Sequence, residues 1–211
     1  MHVKFWINQQ VIRLFISENG SGIFWMIITG ILFCAMTACV KTMGTSLSAS
    51  QSGFIRYVFG LIILAPFCLK LDLKDLRKKV LSILILRGSI HSLAVIAWFY
   101  AIARIPMADV TALYYLVPIF VMVGASYFFN EQLSVIRGSC IIIAFFGTII
   151  ILRPGLREIS LGHLSMLLAT IAFGISFLLA KKVTSDVKPI MIVFMLTLIV
   201  TIWLAPIAFI Q

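Results

Sequence analysis

Long apolar runs alternate with short polar or charged stretches along this chain, and seven of the runs reach the length of a membrane-spanning helix. An α-helix rises 1.5 Å per residue, so about 20 residues cross a hydrocarbon core about 30 Å thick. The pattern predicts an all-α, polytopic membrane protein with about seven transmembrane helices. The predicted helices cover Gly22–Val40, Ser52–Leu69, Val80–Ala103, Met107–Phe129, Ser134–Leu152, Leu161–Ala180 and Pro189–Ile210.

The composition excludes a soluble globular domain. Hydrophobic residues make up 62% of the 211 residues and charged residues only 11%, whereas soluble domains carry about 45–50% and about 25%. The net charge of +10 comes from basic residues that separate the apolar runs and form no single patch, which argues against a nucleic-acid partner. The four cysteines lie within apolar segments without the CxxC spacing of a metal site, so we expect packing residues and no metal.

Lysine and arginine are divided unevenly between the two sets of alternating loops. Eleven fall on the side of the N-terminus and four on the other, while Arg56 and Arg87 lie inside apolar runs. Cytoplasmic loops carry the excess of basic residues, so the N-terminus is predicted to be cytoplasmic. Residues 1–21 are predicted to form a cytoplasmic N-terminal segment, either an interfacial helix or a disordered tail, without a cleavable signal peptide.

The sequence matches itself at a shift of 140 residues. Residues 22–71 and 162–211 share ten identities over fifty positions, among them Lys41 with Lys181 and a Leu-Ala-Pro near the end of each segment. The second copy begins after five helices, an odd number, so it enters the membrane upside down relative to the first. The shift therefore predicts an inverted-topology repeat, a hallmark of secondary transporters, whose second copy is incomplete here.

Several short motifs occur along the first five predicted helices: Phe54-x-Arg56, Leu86-Arg87-Gly88, Trp98–Ile102, Pro106–Leu113, Pro118–Phe120, Asn130-Glu131 and Leu152–Gly155. Together they resemble the EamA-type branch of the drug/metabolite transporter superfamily, including its branch of S-adenosylmethionine-uptake type. On this resemblance, residues 22–155 form a complete five-helix repeat and residues 160–211 the first two helices of a second, truncated repeat. The family implies ten helices, cytoplasmic ends and a central pocket shared by the two halves.

The resemblance implies a secondary transporter that moves small polar metabolites across the bacterial inner membrane by alternating access. An amino-acid derivative or an S-adenosylmethionine-like compound is the expected substrate, and no cofactor is expected. The motifs HExxH, GxSxG and Walker A are absent from the sequence, so we expect no enzyme. The alternative is a truncated, non-transporting relic or a membrane interaction subunit. Besides the metabolite and the lipid bilayer, a homodimer is a candidate partner, although the charge bias argues against pairing in opposite orientations.

Polar and aromatic residues recur inside the second to fourth predicted helices, where lipid-facing helices carry aliphatic side chains. Arg87, His91 and Trp98 share one helical face, which is too polar for lipid. Ionisable residues within a membrane span mark functional sites by default, and proline breaks a helix. The substrate-pocket candidates are Arg56, His91, Trp98, Tyr114, Tyr115 and Pro118.

Each candidate also has a structural alternative. The long stems of Arg56 and Arg87 allow either guanidinium to snorkel to the interface. His91 either carries a coupling proton, because its unperturbed pKa lies near physiological pH, or is a neutral histidine bonded to a neighbouring helix. The aromatic residues either line a pocket or pack helices, and Pro118 makes either a working hinge or a static kink.

Other residues are predicted to serve packing or the helix ends. Small residues spaced four apart favour close helix–helix contact, as in the stripe of Ala172, Ser176 and Ala180. Asp109 lies in the first turn of its helix, where a carboxylate suits the positive end of the dipole. Glu131 and Arg137 are expected to form a solvated pair.

Overall fold

The computed structural model describes residues 18–43, 46–68, 77–132, 135–153 and 158–210. These residues are mainly helical and contain no strand, which confirms the all-α prediction for this part of the chain. Residues 1–17 of the predicted N-terminal segment lie outside it. The helices are α1 (Glu18–Met43), α2 (Ala49–Cys68), α3 (Lys78–Arg104), α4 (Met107–Tyr114), α5 (Val117–Phe129), α6 (Val135–Leu152), α7 (Leu161–Val183) and α8 (Pro189–Ile210).

Five helical stretches of the described residues are long and apolar enough to cross a membrane. They correspond to α2, α3, α4 together with α5, α7 and α8. The apolar parts of the first and fifth predicted spans are shorter, at Ile27–Thr42 and Gly138–Leu152. The chain is therefore a multi-pass membrane protein, and five of its predicted spans meet the length criterion within the described residues.

The helix α1 belongs to a unit of its own, Met1–Thr42. Two threonines in this apolar helix satisfy their hydroxyl groups locally, because Thr29 donates to the carbonyl of Trp25 and Thr37 to that of Phe33. Lys41 lies in the last turn, where a cation suits the negative end of the helix dipole. These features let a long apolar helix carry polar residues at low cost.

The remaining helices form the second unit, Met43–Gln211, with α3 at its centre. The helix α3 packs against α7, α8 and α2, and its buried face includes Leu84, Ala94, Val95 and Ile102. It approaches α8 closely where a Cβ on Gly88 would lie 2.5 Å from Cγ2 of Ile199. Only a residue without a side chain allows the two helices to lie this near, so Gly88 sets the α3–α8 distance.

The helix α2 begins three residues before its predicted start because Ser48 and Gln51 form a reciprocal cap. The amide of Ser48 donates to Oε1 of Gln51 at 3.1 Å, and the amide of Gln51 donates to Oγ of Ser48 at 3.2 Å. The amide group of Gln51 also donates to the carbonyl of Ala208 at 3.4 Å. The first turn of α2 is thus joined to the last part of α8.

The helices α2 and α8 run antiparallel. A Cβ on Gly53 would lie 3.1 Å from Leu204, whereas one on Gly60, seven residues later, would lie 3.5 Å from Thr197, seven residues earlier. The rings of Phe54 and Phe209 also meet, with centroids 5.6 Å apart. These two glycine contacts, about two helical turns apart, define the register of α2 against α8.

The fourth predicted helix is broken into α4 and α5 at the turn Tyr115–Leu116. Pro118 occupies the start of α5, where its missing N–H removes the bond that would run to the carbonyl of residue 114. Threonine hydroxyls of neighbouring helices lie within hydrogen-bonding distance of carbonyls just before the break, Thr148 of Ala112 at 3.2 Å and Thr170 of Leu113 at 3.1 Å. Each hydroxyl shares its hydrogen with a carbonyl of its own helix, at 2.9 Å and 2.8 Å. Contacts with α6 and α7 therefore stabilise the break in addition to the effect of Pro118.

Candidate functional site

Arg87 is buried between three helices, with 5% of its surface exposed. Its Nε donates to the carbonyl of Ser176 on α7 at 3.2 Å, and its Nη1 donates to the carbonyl of Ile192 on α8 at 3.0 Å. The guanidinium thus links α3 to both helices of the predicted second copy. This arrangement differs from the snorkelling alternative, because the side chain ends at carbonyl groups inside the protein.

His91 is the central residue of α3 and connects two other helices through its ring nitrogens. Its Nδ1 lies 2.9 Å from Oγ of Ser176 on α7, and its Nε2 lies 3.0 Å from the hydroxyl of Tyr57 on α2. A neutral imidazole donates through one nitrogen and accepts through the other, so the two hydroxyls complement it in either tautomer. The result is a buried polar chain Tyr57–His91–Ser176, with Arg87 bonded to the backbone of its last member.

Aromatic rings enclose this chain. The imidazole of His91 meets the ring of Phe173 edge-on at a centroid distance of 4.9 Å, and Phe177 lies 6.5 Å away. Phe173 also contacts the ring of Tyr114, whose centroid is 6.0 Å away. In an apolar surrounding a satisfied hydrogen bond is strong and an unsatisfied one is costly, so this enclosure favours one fixed arrangement of the polar chain.

Arg56 lies beside the chain on the exposed side of α2. Its Cζ is 5.3 Å from the ring centroid of Tyr57 and 5.8 Å from that of Trp98, which places the cation within cation–π distance of both rings. Trp98 itself is only 1% exposed. Trp98 therefore supports the guanidinium from the protein side, and no open face of its ring remains for stacking of a flat substrate.

The structure brings four of the six pocket candidates to one region and leaves two apart from the polar chain. Arg56, His91 and Trp98 meet around Tyr57, and Tyr114 joins them through Phe173. Tyr115 is 62% exposed at the helix break, and Pro118 is exposed at the start of α5. We infer that Pro118 acts on the site only through the break that it helps to form.

Sequence reasoning missed Tyr57 and Phe173 and assigned Ser176 to packing alone. Ala172 and Ser176 do lie buried against neighbouring helices, and Ala180 is partly buried, so the small stripe occupies an interhelical face. Ser176 adds a hydroxyl and a carbonyl to the site. The sequence did contain an indication of this polar role of Ser176, because a serine in a stripe of alanines brings a polar group to a helix–helix contact.

Two polar contacts join the predicted fourth helix to α7 at opposite ends. Oδ2 of Asp109, in the first turn of α4, lies 3.3 Å from Nε2 of His163. Asp109 therefore contacts a second helix in addition to its predicted role as a helix cap. Glu131 after α5 pairs with Lys181 at the end of α7. Its predicted partner Arg137 has a side chain outside the described residues.

A cavity of about 160 Å³ lies near the contact of Asp109 with His163, away from the polar chain. His163 and Glu158 contribute its polar groups, and its other lining residues are leucines and an isoleucine. None of the six pocket candidates lines it. Among the described residues no group of three or more His, Cys, Asp or Glu is placed to hold a metal ion.

Comparisons with known proteins agree with this architecture. The chain is 27% identical to an S-adenosylmethionine uptake transporter of Rickettsia bellii over 197 residues, covering 89% of this chain and 68% of the relative. It is also 27% identical to a riboflavin transporter of Rhizobium johnstonii, covering 92% of this chain and 65% of the relative. A pseudopaline exporter of Pseudomonas aeruginosa matches at 27% identity over 64% of this chain and 47% of the exporter. No solved structure gives a significant match.

The chain spans about two thirds of the length of the first two of these relatives. All three are named as carriers of small metabolites across membranes, which assigns the chain to a class of transporters and not to a class of enzymes. The model of the EamA-like transporter family matches residues 20–153, more than half of the chain. The protein therefore belongs to the EamA-like transporter family.

Proposed function

We propose that this chain takes part in secondary transport of a small polar metabolite across the bacterial inner membrane by alternating access, with its N-terminus in the cytoplasm. An amino-acid derivative or an S-adenosylmethionine-like compound is the proposed substrate. The observation that carries the proposal is the buried polar chain from Tyr57 through His91 to Ser176. It lies near the middle of membrane-spanning helices, where unneeded polar groups are costly.

The polar chain joins helices of both predicted repeats, as a pocket shared by two halves requires. Tyr57 and His91 belong to α2 and α3 of the first copy, whereas Ser176 belongs to α7 of the second. Arg87 reaches α7 and α8. In transporters with inverted repeats, sites near the membrane midplane at the interface of the copies remain fixed while the copies rock around them.

The helix bounds support the repeat independently of residue identities. The helix α2 begins at Ala49 and α8 at Pro189. These positions differ by the 140-residue shift that the sequence shows. Helices that begin at equivalent positions are expected of two copies of one structural unit.

The register of α2 against α8 locates the axis of such a repeat. Extended from the glycine contacts, it places Val58 opposite Ile199 and Phe59 opposite Leu198. The 140-residue shift carries position 58 to 198 and position 59 to 199, so it exchanges these two pairs. Every antiparallel register has such a crossing point, and here it lies midway along both helices, where the twofold axis between the inverted copies would pass.

Uptake by the purified chain in proteoliposomes tests the proposal. We expect radiolabelled S-adenosylmethionine to accumulate above the level of empty vesicles, and His91→Gln to reduce that accumulation at equal protein incorporation. Ser89→Ala is the matched control, because Ser89 lies two residues earlier on α3 and donates to the carbonyl of Ile85 in its own helix. We expect the Ser89→Ala chain to behave like the unmutated one.

The same assay addresses the alternative of a non-transporting relic or a membrane interaction subunit. Failure of S-adenosylmethionine, riboflavin and a panel of amino-acid derivatives to accumulate, in vesicles that contain folded protein, would favour that alternative. Accumulation that is equal in the unmutated and His91→Gln chains would support transport but remove the polar chain from the proposed site.

A further inference from the structure

The membrane spans carry positive charge without acidic residues to balance it. Arg56 and Arg87 both lie within helices long enough to cross a membrane. Of the seven acidic residues in the sequence, six lie outside these spans, and the seventh, Asp109, occupies the first turn of α4 and faces His163. Within these five spans of the described residues, the one carboxylate therefore faces His163 and pairs with neither guanidinium.

The two arginines differ in the groups that contact their guanidinium ions. Arg87 is buried and donates to two backbone carbonyls, so it is a structural link between α3, α7 and α8. Arg56 is exposed and contacts only the faces of two aromatic rings, and within the described residues it forms no ion pair. A cation over an aromatic face is held by the ring quadrupole and not by a lone pair, and within the described residues the Arg56 guanidinium donates no hydrogen bond. Its N–H donors therefore remain available.

A cation at this depth is costly in lipid unless its side chain reaches the interface or meets an anion. Arg56 lies seven residues into α2, about 10 Å from the start of the helix at 1.5 Å per residue. Its neighbours on the exposed side of α2 are apolar: Phe59 is 62% exposed and Ile63 is 66% exposed. A single guanidinium on an apolar surface matches an organic anion that has an apolar body, because one end pairs with the charge while the rest is removed from water.

We propose that Arg56, held on the rings of Tyr57 and Trp98, binds a carboxylate or other anionic oxygen group of the transported metabolite. This inference rests on the proposed function, and it narrows the substrate class to organic anions and zwitterions with an apolar portion. The two rings fix the guanidinium in position, so its edge is presented to the anion with little further loss of side-chain freedom. A substrate with only positive charge is disfavoured, since no acidic residue of these spans would attract it.

Three probes of similar size and one shared ring test the proposal: indole-3-acetate, indole-3-acetamide and tryptamine, which are anionic, neutral and cationic. Their binding to the purified chain in nanodiscs is measured by isothermal titration calorimetry. We expect the affinity to fall in that order. Arg56→Gln is expected to weaken the binding of indole-3-acetate by roughly 10- to 100-fold, the loss of one charged hydrogen-bonding group, and to leave indole-3-acetamide nearly unchanged. Arg56→Lys, which keeps the charge but not the planar fork, is expected to give an intermediate affinity.

Arg104→Gln is the matched control. Arg104 is also an exposed arginine on an aromatic ring, with its Cζ 3.7 Å from the ring centroid of Tyr100, but it lies at the end of α3. Its loss changes the net charge by the same amount, so we expect unchanged affinity for all three probes. Circular dichroism of each variant verifies that its helix content matches the unmutated chain.

Failure of indole-3-acetate to bind, or equal affinity of the unmutated chain for the acetate and the acetamide, would overturn the anion site. The anion site would also be overturned if Arg56→Gln and Arg56→Lys each weakened the binding of indole-3-acetate and of indole-3-acetamide by the same factor. The transport proposal is judged separately by uptake in proteoliposomes. A chain that binds the anion through Arg56 without accumulating any solute would retain the site and refute transport.

Discussion

The close contact between the two predicted copies at Gly88 and Ile199 allows a quantitative test of the fold. A Cβ on Gly88 would lie 2.5 Å from Cγ2 and 2.6 Å from Cβ of Ile199. The second of these atoms is attached directly to the backbone of α8, so a rotamer change of Ile199 cannot remove the clash. We therefore expect Gly88→Ala to separate α3 from α8 and to lower the free energy of unfolding by about 1–3 kcal/mol, the usual cost of overpacking.

A double-mutant cycle isolates this contact from other effects. Ile199→Ala alone creates a cavity and is expected to cost about 2–5 kcal/mol. In the double variant the contact with Cγ2 is gone, whereas the 2.6 Å contact with Cβ of residue 199 remains. Part of the clash is therefore relieved, and the combined loss should be smaller than the sum of the single losses by at least about 0.5 kcal/mol. Unfolding is followed by circular dichroism during titration with sodium dodecyl sulfate in mixed micelles.

Gly147→Ala provides the control for the effect of alanine in a helix. Nothing lies within 4 Å of a Cβ at Gly147 on α6. Alanine favours helix over glycine by up to about 1 kcal/mol, so this variant should be as stable as the unmutated chain or more stable. Additive losses in the Gly88–Ile199 cycle, or a Gly88→Ala chain as stable as Gly147→Ala, would refute the proposed α3–α8 contact.

Three further predictions concern polar contacts, each measured by the same unfolding assay. His91→Leu removes two interhelical hydrogen bonds and leaves two buried hydroxyls to find new partners, so we expect a loss of about 1–3 kcal/mol, with loss of helix content at lower detergent concentration. Thr170→Val removes the bond to the carbonyl of Leu113 and should cost about 0.5–1.5 kcal/mol; an unchanged midpoint would show that Thr170 does not hold the helix break. Lys181→Gln breaks the pair with the half-exposed Glu131 and should cost no more than about 1 kcal/mol, and high salt should abolish the difference.

The six candidate residues show how far a sequence can lead to a site in a membrane protein. Arg56, His91 and Trp98 were found because polar and aromatic residues are unusual within apolar spans, and the structure places them together. Tyr57 and Phe173 were missed because an aromatic residue in such a span most often packs or faces the interface. Tyr115 was included because of its type, yet it lies in the turn between α4 and α5 and is 62% exposed.

The apolar runs determined by themselves that the chain is helical and crosses a membrane, since only helices satisfy every backbone group within one apolar segment. They also placed most helix ends within a few residues. The position of the break between α4 and α5 required the structure, because the carbonyls before it are contacted by Thr148 and Thr170, which are distant in sequence. Proline alone indicates a kink and not which contacts hold it.

The 140-residue repeat and the excess of basic residues on one side are properties of the sequence alone. Which polar groups satisfy each other is decided by tertiary structure. Hydrogen bonds require atoms within about 3 Å, and the bonded residues can be far apart in sequence: 105 positions separate Arg87 from Ile192, and 157 separate Gln51 from Ala208. The sequence marks Arg56 and Arg87 as similar intramembrane cations. Only the tertiary structure distinguishes their environments. The helices α7 and α8 supply carbonyls to Arg87, whereas the exposed face of α2 leaves the charge of Arg56 available to a ligand.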